Sequence, residues 1–226
     1  MFRRFKRWVI SLFHVEHERE REVVIAVDPI MRPRVNDVFT PIQYVEMYAR
    51  LWDTMSIRQE KSSSVTWYVN KIKQGRAFYM EVAEISGVPW EVIGCLHLLE
   101  TGGSFDKVLH NGESLYNVNK YGTRLVPKRR GKNQGWDWQD AAADALSIKN
   151  APAEWTIVNT LHYCERFNGL GYLRDQRKPN SPYIWSFSNH YYKGKYVSDG
   201  KYSPTAISKQ CGVAPILKEL GFVFYE

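Results

Sequence analysis

One stretch constrains this chain more than any other: Val88-Pro89-Trp90, an almost wholly apolar run from Trp90 to Glu100, then Thr101-Gly102-Gly103. Pro89 suits the first turn of a helix, where an absent N–H costs nothing, and paired glycines suit its end. A helix apolar all round has no face to offer water, so the run predicts a helix enclosed by other elements. It also delivers Glu100 to the last turn, on the face shared by Trp90, Ile93 and His97. A carboxyl withdrawn from water holds its proton to higher pH and can donate it near neutrality. Cleaving a glycosidic bond needs such an acid at the leaving oxygen. The same pattern also fits a helix-terminal glutamate that simply meets solvent, so the run alone does not decide between them.

Around this segment, helical periodicity predicts helices over Pro41–Met55, Ser64–Gln74, Phe78–Ile85, Asp137–Leu146 and Trp155–Phe167. A last helical region, Thr205–Leu220, is expected to be interrupted near Gly212 and Pro215. Residues 104–135, dense in Asn, Gly, Lys and Arg, read as loops or a small β-hairpin, and 168–203 read mostly as loop. The fold class is therefore mainly α, an α+β arrangement with a helical core and a small hairpin or loop region beside a cleft. Residues 1–40 read as a basic appendage and 41–226 as the main domain. The appendage opens with Phe2-Arg3-Arg4-Phe5-Lys6-Arg7-Trp8, has a β-prone run at Val23–Val27, and carries Pro29 and Pro33. Its apolar part is short and lacks a small-residue cleavage site, so it reads as uncleaved: a frayed or packed terminal helix first, and a basic amphipathic helix lying on anionic lipid as the alternative.

Composition narrows the chemistry. The formal net charge is +7, which favours a polyanionic partner. The 8 Trp, 14 Tyr and 10 Phe serve either an aromatic core or a groove that stacks on sugar rings. Three dispersed cysteines (Cys95, Cys164 and Cys211) form neither a disulfide framework nor a zinc motif, and no cofactor or metal is expected. Cys95 and His97 read as core residues. The Lys128–Lys132 cluster reads as a solvated loop able to attract wall carboxylates.

Two more stretches bear on Glu100. Leu109-His110-Asn111-Gly112-Glu113 contains a strong turn signal flanked by a second acid. Glu165-Arg166-Phe167-Asn168-Gly169-Leu170-Gly171-Tyr172 places Asn168 and Tyr172 after a helix. Leu98–Phe105 resembles the glutamate environment of goose-type lysozymes and lytic transglycosylases, and Phe167-Asn168-Gly169 is similar to their Tyr-Asn-x-Gly motif. Together with Ser181-Pro182-Tyr183-Ile184-Trp185-Ser186 and Lys193–Gly200, these segments resemble, in order over about residues 65–220, a lysozyme-like family of phages and bacteria.

That resemblance implies Glu100 as general acid and puts Glu113 where relatives carry Asp. It implies that Asn168 hydrogen-bonds substrate and that Tyr172 positions a sugar or a reacting proton. His110 and Tyr183 are further substrate-binding candidates, with Tyr183 near the cleft and Trp185 mainly packing. The segment after Glu113 departs from the family, whose pattern leads into Pro-Ala-Gly-Arg. The expected activity is cleavage of the N-acetylmuramic acid–N-acetylglucosamine bond of peptidoglycan by a monomer with no nucleic-acid partner. The resemblance implies a phage endolysin or virion-associated lysin, made in the host cytoplasm and acting on the wall. Lytic transglycosylase is the alternative enzyme, and a chitinase-like glycosidase fits the positive charge less well. From another class, a non-catalytic wall-, membrane- or nucleic-acid-binding protein remains as a reading.

Overall fold

The computed structural model describes residues 41–175, 180–198 and 200–222. The expectations for the basic segment, Val23–Val27, Pro29 and Pro33 lie outside them.

Trp90–Thr101 forms α4, and among its residues Val92 through Leu99 are all buried, as the apolar run requires. Helices pack on it from several sides: α2 (Ser62–Gln74), α3 (Arg76–Ser86), α7 (Ile157–Asn168) and α10 (Val213–Leu220). Gly94 permits a close approach of α2, since a Cβ there would stand 2.6 Å from Ile72 Cγ2. Gly102 and Gly103 end the helix at φ +68° and +78°, and their N–H groups bond to the carbonyls of Leu98 and His97. Left-handed backbone of this kind favours glycine and turns the chain sharply away.

The remaining helices complete one core. α1 (Ile42–Asp53) lies along α7, and α6 (Trp138–Ser147) lies along α3. Asp137 and Thr156 cap α6 and α7 by accepting bonds from Asp140 N and Asn159 N at 2.8 and 3.2 Å. His97 is a core residue: it sits among Tyr79, Phe105 and Trp138, with Nδ1 2.9 Å from the Tyr79 hydroxyl. Burial lowers its pKa to about 4, so the ring is neutral at physiological pH. Cys95, Cys164 and Cys211 are all buried and free.

Four local differences from the sequence reading stand out. Leu115–Tyr121 forms α5 inside the region read as loop or hairpin. That region contains only an isolated antiparallel bridge, Lys107 to Ser114. Among the described residues the one two-stranded sheet lies instead in the segment read mostly as loop, where β1 (Lys195–Ser198) pairs with β2 (Lys201–Ser203). Finally, 205–212 is not helical. Gly212 is the N-cap of α10, and Pro215 falls in its first turn, where no N–H is needed, so it does not interrupt the helix. Two four-residue helices, α8 (Gly171–Arg174) and α9 (Pro182–Trp185), carry the Tyr172 and Tyr183 motifs. Among the described residues no single helix is long and apolar enough to cross a membrane.

Candidate active site

Glu100 leaves the last turn of α4 where the buried helix meets the Gly102-Gly103 reversal. Burial raises its carboxyl pKa above the ordinary glutamate value. The negative end of the helix dipole acts in the same direction. Two neighbours oppose the rise: Tyr183, whose hydroxyl donates to Oε1 at 2.7 Å, and the positive charge of Lys149. Tyr183 is held by α9, in which Ile184 and Trp185 are buried and Pro182 occupies the first turn. Burial and the Glu100 charge push the Tyr183 hydroxyl pKa up, so it remains a donor.

Beside this pair lies a cavity of about 460 Å³ whose lining includes Leu99, Asn168, Tyr172, Tyr183, Tyr196 and Gln210. Three of the expected substrate-facing residues, Asn168, Tyr172 and Tyr183, therefore meet at one cavity. Asn168 is exposed there at the end of α7. Tyr172 supplies a wall, but its hydroxyl already accepts the Tyr196 N–H at 2.9 Å and ties β1 to α8. Gln210 donates to the Leu99 carbonyl at 3.1 Å, satisfying one of the open carbonyls at the end of α4.

The Asn111-Gly112 turn also reaches Glu100: a Cβ on Gly112 (φ +75°) would stand 3.7 Å from the Glu100 carbonyl oxygen. Its two flanking side chains point to other tasks. Glu113 accepts from Arg124 N and Leu125 N at 3.0 and 3.1 Å and pairs with the Arg124 guanidinium. These bonds outweigh burial and hold its pKa below the ordinary value, so it is a carboxylate clamping the 122–131 loop. His110 does not face a substrate: its side chain is fully covered, Nε2 lies 2.8 Å from Asp144 Oδ2, and the ring stacks on Trp136. Asp144 in turn pairs with Arg130, anchoring the basic loop to α6. With its ring covered, His110 is not among the residues that line the cavity beside Glu100.

Sequence reasoning missed Lys149, whose Nζ donates to the Arg166 carbonyl at 3.1 Å while its charge acts on Glu100. An isolated lysine after a helix carries no signal of that role. It also passed over Glu165, a wholly buried carboxyl on α7 at the head of the Glu165–Tyr172 stretch. Among the described residues no group of His, Cys, Asp and Glu is arranged to hold a metal ion. Comparison with known proteins finds no matching family model, no matching curated protein and no matching solved structure.

Proposed function

We propose that this chain is a peptidoglycan-cleaving glycosidase of the muramidase type, with Glu100 as general acid. The observation that carries the reading is one arrangement: a carboxyl raised in pKa by burial, bonded to Tyr183, beside a polar cavity lined by tyrosines and Asn168. In the proposed reaction, protonated Glu100 gives its proton to the glycosidic oxygen as the C1–O bond breaks. The resulting carboxylate keeps the Tyr183 bond and the Lys149 charge, which both favour it. Asn168 supplies an exposed amide at the cavity for a substrate acetamido group, and Tyr172 and Tyr196 add aromatic lining. The positive net charge favours an anionic wall polymer over neutral chitin. Action as an endolysin or virion-associated lysin follows from the lysozyme-like motifs.

A second reading, lytic transglycosylase, draws support from Glu113. Its oxygens are occupied by loop donors, which leaves it poorly placed to activate a water. Glu100 would then act first as acid and next as base, while the muramic 6-hydroxyl closes onto C1. End-group analysis of digested wall separates the two readings. New reducing ends that diminish in Glu113→Gln support the hydrolase with a catalytic Glu113. Anhydromuramic ends, retained in Glu113→Gln, support the transglycosylase. Equal digestion of chitin and wall would count against the muramic specificity of both.

A further inference from the structure

Away from Glu100, between α1 and α7, lies a larger cavity of about 710 Å³. Its lining includes Tyr44, Tyr48, Arg50, Glu165, Arg174 and Ser181. Three of these present buried polar atoms with no hydrogen-bond partner: the Tyr48 hydroxyl, both Glu165 carboxyl oxygens and the Ser181 hydroxyl. Tyr48 and Glu165 are 0% exposed and Ser181 is 3% exposed. Folded proteins pair the great majority of buried polar groups, so several orphans converging on one cavity need an explanation. Ser181 and Asn168 approach Glu165 closely enough to temper its acidity shift, but at geometry short of a full bond. Burial nonetheless raises Glu165 to about pKa 8, leaving it mostly neutral at physiological pH, with one donor and one acceptor to offer.

The chemistry of the lining narrows the ligand. The floor offers neutral donor–acceptor groups, which match the N–H and C=O of a peptide unit. Tyr44 and Trp185 add apolar surface. Arg50 and Arg174 are exposed and supply two guanidiniums, which select for carboxylate and disfavour a cationic guest. Tyr172 lines this cavity and the one beside Glu100 alike, so the two share a wall.

We propose that the α1–α7 cavity is a second binding site, taking a short peptide with a free carboxylate, of the kind that branches from muramic acid in peptidoglycan. The choice of that peptide rests on the wall-cleaving reading; the existence of the site rests on the orphaned groups and the guanidiniums. Arg50 and Arg174 hold the carboxylate, while Tyr48, Glu165 and Ser181 bond the peptide units. The site would make wall strands bearing peptide stems better substrates than bare glycan.

Titration calorimetry on the full chain tests it, using N-acetylmuramyl-L-alanyl-D-isoglutamine and, for comparison, chitotetraose. The muramyl peptide should bind saturably, and Arg50→Ala, a surface change that leaves the core intact, should weaken it about tenfold. Glu165→Leu and Tyr48→Phe should weaken it as well, whereas chitotetraose binding should be indifferent to Arg50→Ala and Tyr48→Phe. No saturable binding of the muramyl peptide, or binding equal in wild type and Arg50→Ala, overturns the site even if wall cleavage by Glu100 is found. Arg50-dependent binding in a protein that cleaves no wall upholds the site and removes the glycosidase reading instead.

Discussion

Two carboxyls, Glu100 and Glu165, are raised in pKa by burial but serve different ends, and each makes a prediction at the scale of a single side chain. Tyr183 donates to the Glu100 carboxyl and Lys149 adds positive charge, and both favour the ionised form. Removing either should raise the Glu100 pKa further. If Glu100 must be protonated to act, activity falls as pH rises through that pKa. Tyr183→Phe should therefore move the alkaline limb of the pH–rate profile upward while lowering the maximum rate. A limb that stays put would mean that another group sets it. Glu165 bears on stability. Its folded pKa of about 8 lies well above that of an unfolded glutamate, so between about pH 4.5 and 8 the folded state holds the extra proton. Stability from this group is complete below the unfolded value and is lost as pH rises through the folded one. Thermal melts of wild type and Glu165→Gln should differ least near pH 5, with the wild type losing ground by on the order of a few kcal/mol toward pH 8.

At the scale of elements, α4 was the most legible part of the chain, because its apolar run leaves no alternative to enclosure. The close approach of α2 to Gly94 was not legible, since a glycine inside a helix carries no record of what lies opposite. Gly94→Ala should cost about 1–3 kcal/mol in chemical denaturation, because Ile72 and Tyr79 are both buried and neither can withdraw freely. A neutral effect would show that α2 and α3 can separate slightly. Short elements escaped the sequence for a different reason. α5 is seven residues with two asparagines, and it is held by Val118 and Leu115 against Val108 and Ala141 rather than by its own propensity. β1 and β2 are four and three residues long, too short for alternation to register. The Asn111-Gly112 turn is legible in the sequence, whereas the bonding partners of its neighbours are not. Glu113 and His110 are set by Arg124, Leu125 and Asp144, partners that sequence spacing does not reveal. Cutting the clamp with Glu113→Ala should release the 122–131 loop, seen as faster amide exchange at Arg124 and Leu125. Unchanged exchange there would mean that the Arg130–Asp144 pair suffices.

Across the whole molecule, the mainly helical class was legible from periodicity, whereas the place of the small antiparallel sheet was not. Asn168, Tyr172 and Tyr183 line one cavity, a grouping expected from the lysozyme-like resemblance and not from periodicity or spacing. The second cavity was not legible, because its lining comes from α1, α7, α8, α9 and the residues just before α9, and depends on packing alone. Charge acts at this scale too. With a net charge of +7, association with an anionic wall should slow as ionic strength rises, because long-range attraction beyond about 8 Å is screened at physiological salt. Binding rates to purified sacculi across a salt series measure this, and a salt-independent rate would argue against electrostatic capture. The central claim, that Glu100 drives cleavage of wall glycan, is tested most directly by digesting purified sacculi with wild type and Glu100→Gln and identifying the soluble products by mass spectrometry. The account predicts muropeptides cut within the glycan strand from wild type and none from a folded Glu100→Gln protein. Glycan left whole by the wild type, or cut equally by both, would contradict it.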